Sequence, residues 1–109
     1  MNNIPVYHPK SIGPFKLDTV KELTHLKESY IFVYRHDSFE YYIELYHYKE
    51  RAGYTYSLHA ISEKHNDSFL DFRFSADRIN KFDKVENEFF LEMNTILLTR
   101  SIEEEIGGW

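Results

Sequence analysis

Ser57, His59 and Asp71 are the residues of this sequence whose types could carry covalent chemistry: a hydroxyl to attack, an imidazole to take its proton, a carboxylate to orient the imidazole. Alternation along the strands that hold them predicts His59 opposite Asp71, with Ser57 two residues away on the same face. Adjacency on a flat sheet supplies neither an oxyanion hole nor a strained nucleophile turn, so the expected role is a cross-strand polar pair. An enzyme built on a His59/Asp71 site outside any known motif is the second alternative to the main reading below. None of the six histidines falls into an HxH, HxxxH or HExxH spacing, and no metal ligand set is expected. The four glycines form no phosphate-binding loop, and no cofactor is expected.

The second chemistry-bearing feature is the stretch FEYYIELYHYKERAGYTYSLH, residues 39–59, where tyrosines alternate with carboxylates. Tyrosine offers a large, rigid contact area with a hydrogen-bonding tip, and interspersed acids select basic partners. Tyr30, Tyr34, Glu40, Tyr42, Glu44, Tyr46 and Tyr48 are therefore the candidate partner-binding residues, joined by Trp109 behind the acidic tail SIEEEIGGW. The alternative use of such a face is stacking of single-stranded nucleic-acid bases on the tyrosines. Its carboxylates oppose phosphate, and a net charge of −5 with scattered lysines and arginines shows no basic footprint.

Positioning these residues requires a particular order of elements. Residues 1–16 carry all three prolines and read as an extended arm. Leu17, Val20, Leu23 and Leu26 recur at helical spacing behind Asp18, which predicts a short helix from about Thr19 to Lys27. From Ser29 the period becomes two through four runs, broken at HDS, RAG and EKHND, which predicts a four-stranded antiparallel meander. Beyond Asp77 a 3.6-residue period through Phe82, Val85, Phe89, Met93, Ile96 and Leu97 predicts a long helix closed by Gly107 and Gly108. The expected architecture is α+β in the order α-β-β-β-β-α, one domain spanning 1–109, with 103–109 as an acidic tail.

Register then distributes the side chains. The last strand places Leu70, Phe72 and Phe74 inside, opposite Ala60, Leu58 and Tyr56, with Ser62 opposite Ser68. A two-residue turn at Ala52-Gly53 buries Phe39, Tyr41, Ile43 and Leu45, whereas a three-residue turn at Arg51-Ala52-Gly53 would bury Glu44 at a cost of several kcal/mol. Pairing Arg35 with Phe39 puts Ile31 and Val33 inside and Tyr30, Phe32 and Tyr34 outside. The outer face then carries more aromatic surface than a monomer ordinarily leaves open, so either the arm and short helix cover it or a partner does.

At 109 residues, 42% hydrophobic and 17% aromatic, one well-filled core is expected. The absence of cysteine excludes disulfides and thiolate metal sites and fits a cytoplasmic protein, and no membrane-spanning stretch or signal sequence is read. A second apolar stripe on the long helix, Leu91, Leu98 and Ile102, is a candidate homodimer seam. The functional expectation is a non-catalytic, acidic protein-binding module of inhibitor, immunity or antitoxin type, or a phage or mobile-element accessory protein, whose partner is basic.

Overall fold

The computed structural model describes residues 6–23, 29–50, 53–75 and 82–107. Within them the chain forms β1 (Ser11–Ile12), β2 (Phe15–Glu22), β3 (Tyr30–Arg35), β4 (Tyr41–Glu50), β5 (Gly53–Ser62), β6 (Asp67–Ser75) and α1 (Phe82–Gly107). The strands form one antiparallel sheet in sequence order, curled into a half-barrel, with α1 against one face. No helix among the described residues is long and apolar enough to cross a membrane.

The four runs of period two and the long helix are present as expected, but the meander has six strands, and Thr19 to Glu22 lie in β2 instead of a helix. Leu23 follows the strand and donates its N–H to the Ser29 carbonyl at 2.9 Å, and the rest of the expected helix, residues 24–27, is outside the described residues. The cause of the misreading is a bulge. Leu17 opposes Tyr34 and Val20 opposes Phe32, and the register shifts between Leu17 and Thr19. The extra residue brings two apolar side chains three positions apart onto one face, a spacing that imitates a helix.

The core face is lined by Phe32 and Tyr34 of β3, Ile43 and Leu45 of β4, Tyr56, Leu58 and Ala60 of β5 and Phe74 of β6, with Phe89 and Met93 of α1 packed over them. Phe89 meets Phe72 edge-on at 5.3 Å, and Phe15, buried beside Ile12, takes Phe90 in the same way at 6.4 Å. The arm lies on this same side. The hydroxyl of Tyr34 donates to the Pro9 carbonyl at 2.7 Å and that of Tyr56 to the Tyr7 carbonyl at 2.8 Å, while the His8 ring stacks on Phe32 at 4.3 Å.

These contacts correct the expected faces of β3. Tyr34 opposes Ile43 and Phe32 opposes Leu45, so Tyr30, Phe32 and Tyr34 point toward the core and Ile31 and Val33 point away. The pairing differs by three residues from the Arg35–Phe39 register, and an odd shift exchanges every side chain between faces. Phe39 precedes β4, is 38% exposed, and stacks on Tyr41 at 5.0 Å instead of lying in the strand core. In the β4–β5 hairpin Glu50 opposes Gly53, so Gly53 belongs to the ladder and not to the turn. That shift is even, which leaves Tyr41, Ile43 and Leu45 inside as expected. Between β5 and β6 the Leu70–Ala60, Phe72–Leu58 and Phe74–Tyr56 pairs form as expected, but a bulge after Ala60 gives Ser62 Asp67 as its partner in place of Ser68.

Candidate functional site: the outer face of the sheet

Strand alternation fixes what the other face carries. Along β4 it is Tyr42, Glu44, Tyr46 and Tyr48; the register sets Glu44 between Val33 and His59, and Tyr46 between Ile31 and Ser57. Beyond β5, His59 opposes Asp71 and Ser57 opposes Arg73. Among the described residues, α1 and the arm from residue 6 onward pack on the core face and not on this one.

The tyrosines form an ordered patch. Tyr46 stacks on Tyr48 with ring centres 5.6 Å apart, meets the His59 ring edge-on at 4.8 Å and donates its hydroxyl to Glu44 Oε1 at 2.9 Å. The Arg35 guanidinium sits 4.3 Å over the Tyr42 ring and binds Glu63 at 2.7 Å through Nη1. Burial among these neighbours pushes the phenols of Tyr42, Tyr46 and Tyr48 above their ordinary value; for Tyr46 the hydrogen bond to Glu44 adds to the effect. All three stay protonated at neutral pH, the proton of Tyr46 being already given to Glu44. Val33, on this side, is 5% exposed.

The structure brings Ser57, His59 and Asp71 together, as the sequence predicts. Ser57 Oγ lies 2.9 Å from His59 Nε2 and donates to Asp71 Oδ1 at 3.1 Å. A hydroxyl has one proton. Given to Asp71, it leaves Oγ to accept from an Nε2–H, so the imidazole is a donor toward Ser57 and not the base that would activate it. His59 Nδ1 is 3.4 Å from the same Asp71 oxygen. Ser57 is also mid-strand between two ladder partners, Tyr46 and Arg73, so its backbone N–H serves the sheet instead of an oxyanion.

Of the residues named from sequence, Tyr42, Glu44, Tyr46 and Tyr48 share this face. Tyr30 and Tyr34 do not: both are on the core side, and Tyr34 is fully buried. Glu40 is exposed in the loop before β4, where its carbonyl accepts the Glu63 N–H at 2.8 Å. Trp109 lies outside the described residues. Leu91, Leu98 and Ile102 are on α1 and are 67%, 64% and 48% exposed. Three aliphatic side chains alone fall well short of the about 800 Å² per partner of a standard interface. Arg35, Val33 and Ile31 were missed, because the odd slip in β3 assigned them to the core.

Of several concavities among the described residues, one of about 360 Å³ lies where the loop before β4 and the β5–β6 turn meet α1, with Phe39, Tyr41 and Leu97 in its lining, and one of about 380 Å³ lies between residues 14–18 and 35–38. Lys64, His65, Arg100 and Glu104 in the lining of the first are already engaged. Arg100 holds Asp67 through two bonds of 2.7 and 3.2 Å and lies 4.8 Å over the Phe69 ring. Lys64 and His65 reach Glu104 at 3.3 and 3.1 Å. The Arg100 bond holds the Asp67 carboxyl below its usual range, and the Lys64 bond does the same for Glu104. This is a clamp from hairpin to helix. Among the described residues no three His, Asp or Glu side chains are grouped to hold a metal ion. Comparison with known proteins finds no family model, no curated protein and no solved structure that matches the chain.

Proposed function

We propose that the chain is a non-catalytic protein-binding module that engages its partner through the outer face of the sheet, centred on Tyr42, Tyr46 and Tyr48. The observation that carries this reading is the position of the covering elements. Among the described residues, helix and arm lie on the core side, and the other side presents an aromatic patch with Glu44, Asp71, Arg35 and Arg73 beside it. Rigid tyrosines lose little side-chain entropy on binding, and central aromatics with satisfied polar neighbours are the usual anchors of a contact. The net charge of −5 favours encounter with a basic surface. An inhibitory or immunity-type role fits a module that needs only such a face and no chemistry of its own.

The test compares the wild-type chain with Tyr42→Ala/Tyr46→Ala as bait in lysate of the source cells. The retained protein is identified by mass, purified and titrated by calorimetry. Loss of two anchors is expected to weaken binding about 100-fold with the fold intact by circular dichroism. Equal affinity of both baits overturns the reading. Selective retention of single-stranded oligonucleotide by the wild type replaces it with base stacking.

A further inference from the structure

We propose that the outward face of α1 is a docking stripe for a basic amphipathic helix of another protein, seated on Leu91, Leu98 and Ile102 and held by Glu88, Glu92 and Glu103. The inference is independent of the partner-binding reading above, because it rests on the helix and not on the sheet.

At about 3.6 residues per turn, Leu91, Leu98 and Ile102 fall on the side of α1 opposite Phe89 and Met93, which pack in the core. Among the described residues they are the three most exposed large apolar side chains. Exposed leucines scattered singly need no explanation, but these three are aligned. Thr95 and Thr99 join them. Their hydroxyls donate to the Leu91 and Thr95 carbonyls, each at 3.0 Å, which turns the hydroxyls in toward the backbone and leaves the methyls on the stripe. The result is an apolar seam about 16 Å long, the reach of about three helical turns. Leu91, Thr95, Leu98 and Ile102 recur at the i, i+4, i+7, i+11 spacing by which one helix receives another.

Charge selects the occupant. Glu88, Glu92 and Glu103 are exposed along one flank of the seam. The cations of α1 do not answer them: Arg100 is bound to Asp67 at 2.7 Å on the sheet side, and Lys84 lies about two turns before Leu91. A second copy of the chain would bring the same carboxylates, and in an antiparallel pair of α1 helices the two acidic flanks would meet. A helix that carries leucine-like anchors on one face, with lysine or arginine beside them, is complementary to both the seam and its flank. Three aliphatic anchors make less than a standard interface, so charge supplies much of the hold and the contact is sensitive to salt.

The probe is a synthetic leucine–lysine peptide of about five helical turns with leucine at the spacing of the seam. Its controls are a scrambled peptide of the same composition and a leucine–glutamate counterpart. Calorimetric titration at low salt is expected to show that the full chain binds the lysine peptide, binds the scrambled one about tenfold or more weakly, and does not bind the glutamate one; circular dichroism should show helix gained on binding. Leu91→Gln/Leu98→Gln and Glu88→Gln/Glu92→Gln/Glu103→Gln should each weaken binding about tenfold or more, the second also flattening its dependence on salt. Every substituted position is exposed, so both variants should keep the wild-type dichroism. Tyr42→Ala/Tyr46→Ala should bind the peptide as the wild type does. A wild type that binds no peptide overturns the proposal, as does equal affinity for the ordered and scrambled peptides, or binding that survives the leucine replacements. Binding abolished by Tyr42→Ala/Tyr46→Ala overturns it by moving the site to the sheet. A mass that doubles with concentration in light scattering and returns to 13.2 kDa in Leu91→Gln/Leu98→Gln also overturns it, the seam then belonging to a second copy.

Discussion

Tyr34 and Tyr56 do two jobs with one side chain: their rings fill the core beneath the arm, and their hydroxyls donate to the carbonyls of Pro9 and Tyr7. Removing either hydroxyl leaves a part-buried carbonyl short of a donor, so Tyr34→Phe and Tyr56→Phe should each cost about 1–2 kcal/mol in urea unfolding at neutral pH. Burial pushes the Tyr56 phenol from 10.0 up to about 12, the neighbouring Tyr7 adding to it, and raises Tyr34 still further, with Glu86 contributing. Between pH 10 and about 12 the folded chain therefore holds protons that the unfolded chain has released. Stability tied to these groups is complete below pH 10 and is lost as pH rises toward 12. The wild-type urea midpoint should fall steeply over that interval, and the double phenylalanine variant, weaker at neutral pH, should show a shallower decline. Neither bond was legible in the sequence, since the carbonyls lie 25 and 49 residues from the tyrosines that bind them. Cross-strand partners within a hairpin, by contrast, were: His59 and Asp71 follow from alternation alone.

Between elements, the β1–β2 turn packs closely on α1. Gly13 adopts φ +57, a left-handed conformation, and a Cβ there would stand 2.8 Å from Cε1 of Phe90. Gly13→Ala thus meets two penalties: about 1 kcal/mol for the backbone conformation and a further 1–3 kcal/mol for displacing a packed ring. Phe90→Leu removes the ring but not the conformational penalty. The double variant should consequently lose at least about 1 kcal/mol less than the two single losses added together, a coupling measurable by denaturant titration of all four proteins. Strict additivity would mean that turn and helix do not press on one another. The four later strands and α1 were readable because their periods persist over many residues. β2 was not, because the bulge at Asp18 spaces Leu17 and Val20 as a helix would, and only pairing with β3 resolves the ambiguity.

At the scale of the whole molecule, which sheet face becomes the core is decided by what covers it, and here the arm was the misplaced piece. Sequence alternation recovered the faces of β4, β5 and β6, and with them Tyr42, Glu44, Tyr46 and Tyr48. It failed for β3, where both parities are apolar: Tyr30, Phe32 and Tyr34 on one side, Ile31 and Val33 on the other. The arm breaks that tie by giving Tyr34 an acceptor and Phe32 the His8 ring, while the Lys10 carbonyl accepts the Leu17 N–H at 3.0 Å and ties the arm to β2. Deleting residues 1–10 removes these contacts together. Two lost phenol bonds at about 1–2 kcal/mol each, with the uncovered apolar area of Phe32, amount to about 3–5 kcal/mol, a large share of the 5–15 kcal/mol that holds a domain of this size. The truncated chain should melt well below the full chain and take up a fluorescent apolar dye at neutral pH. Tyr42→Ala/Tyr46→Ala, acting on the opposite face, should leave dye uptake unchanged, and its effect on stability should add to that of the deletion. A truncated chain that melted with the full one and bound no dye would mean that the arm rests on the sheet without sealing it, and the β3 faces would then need another cause.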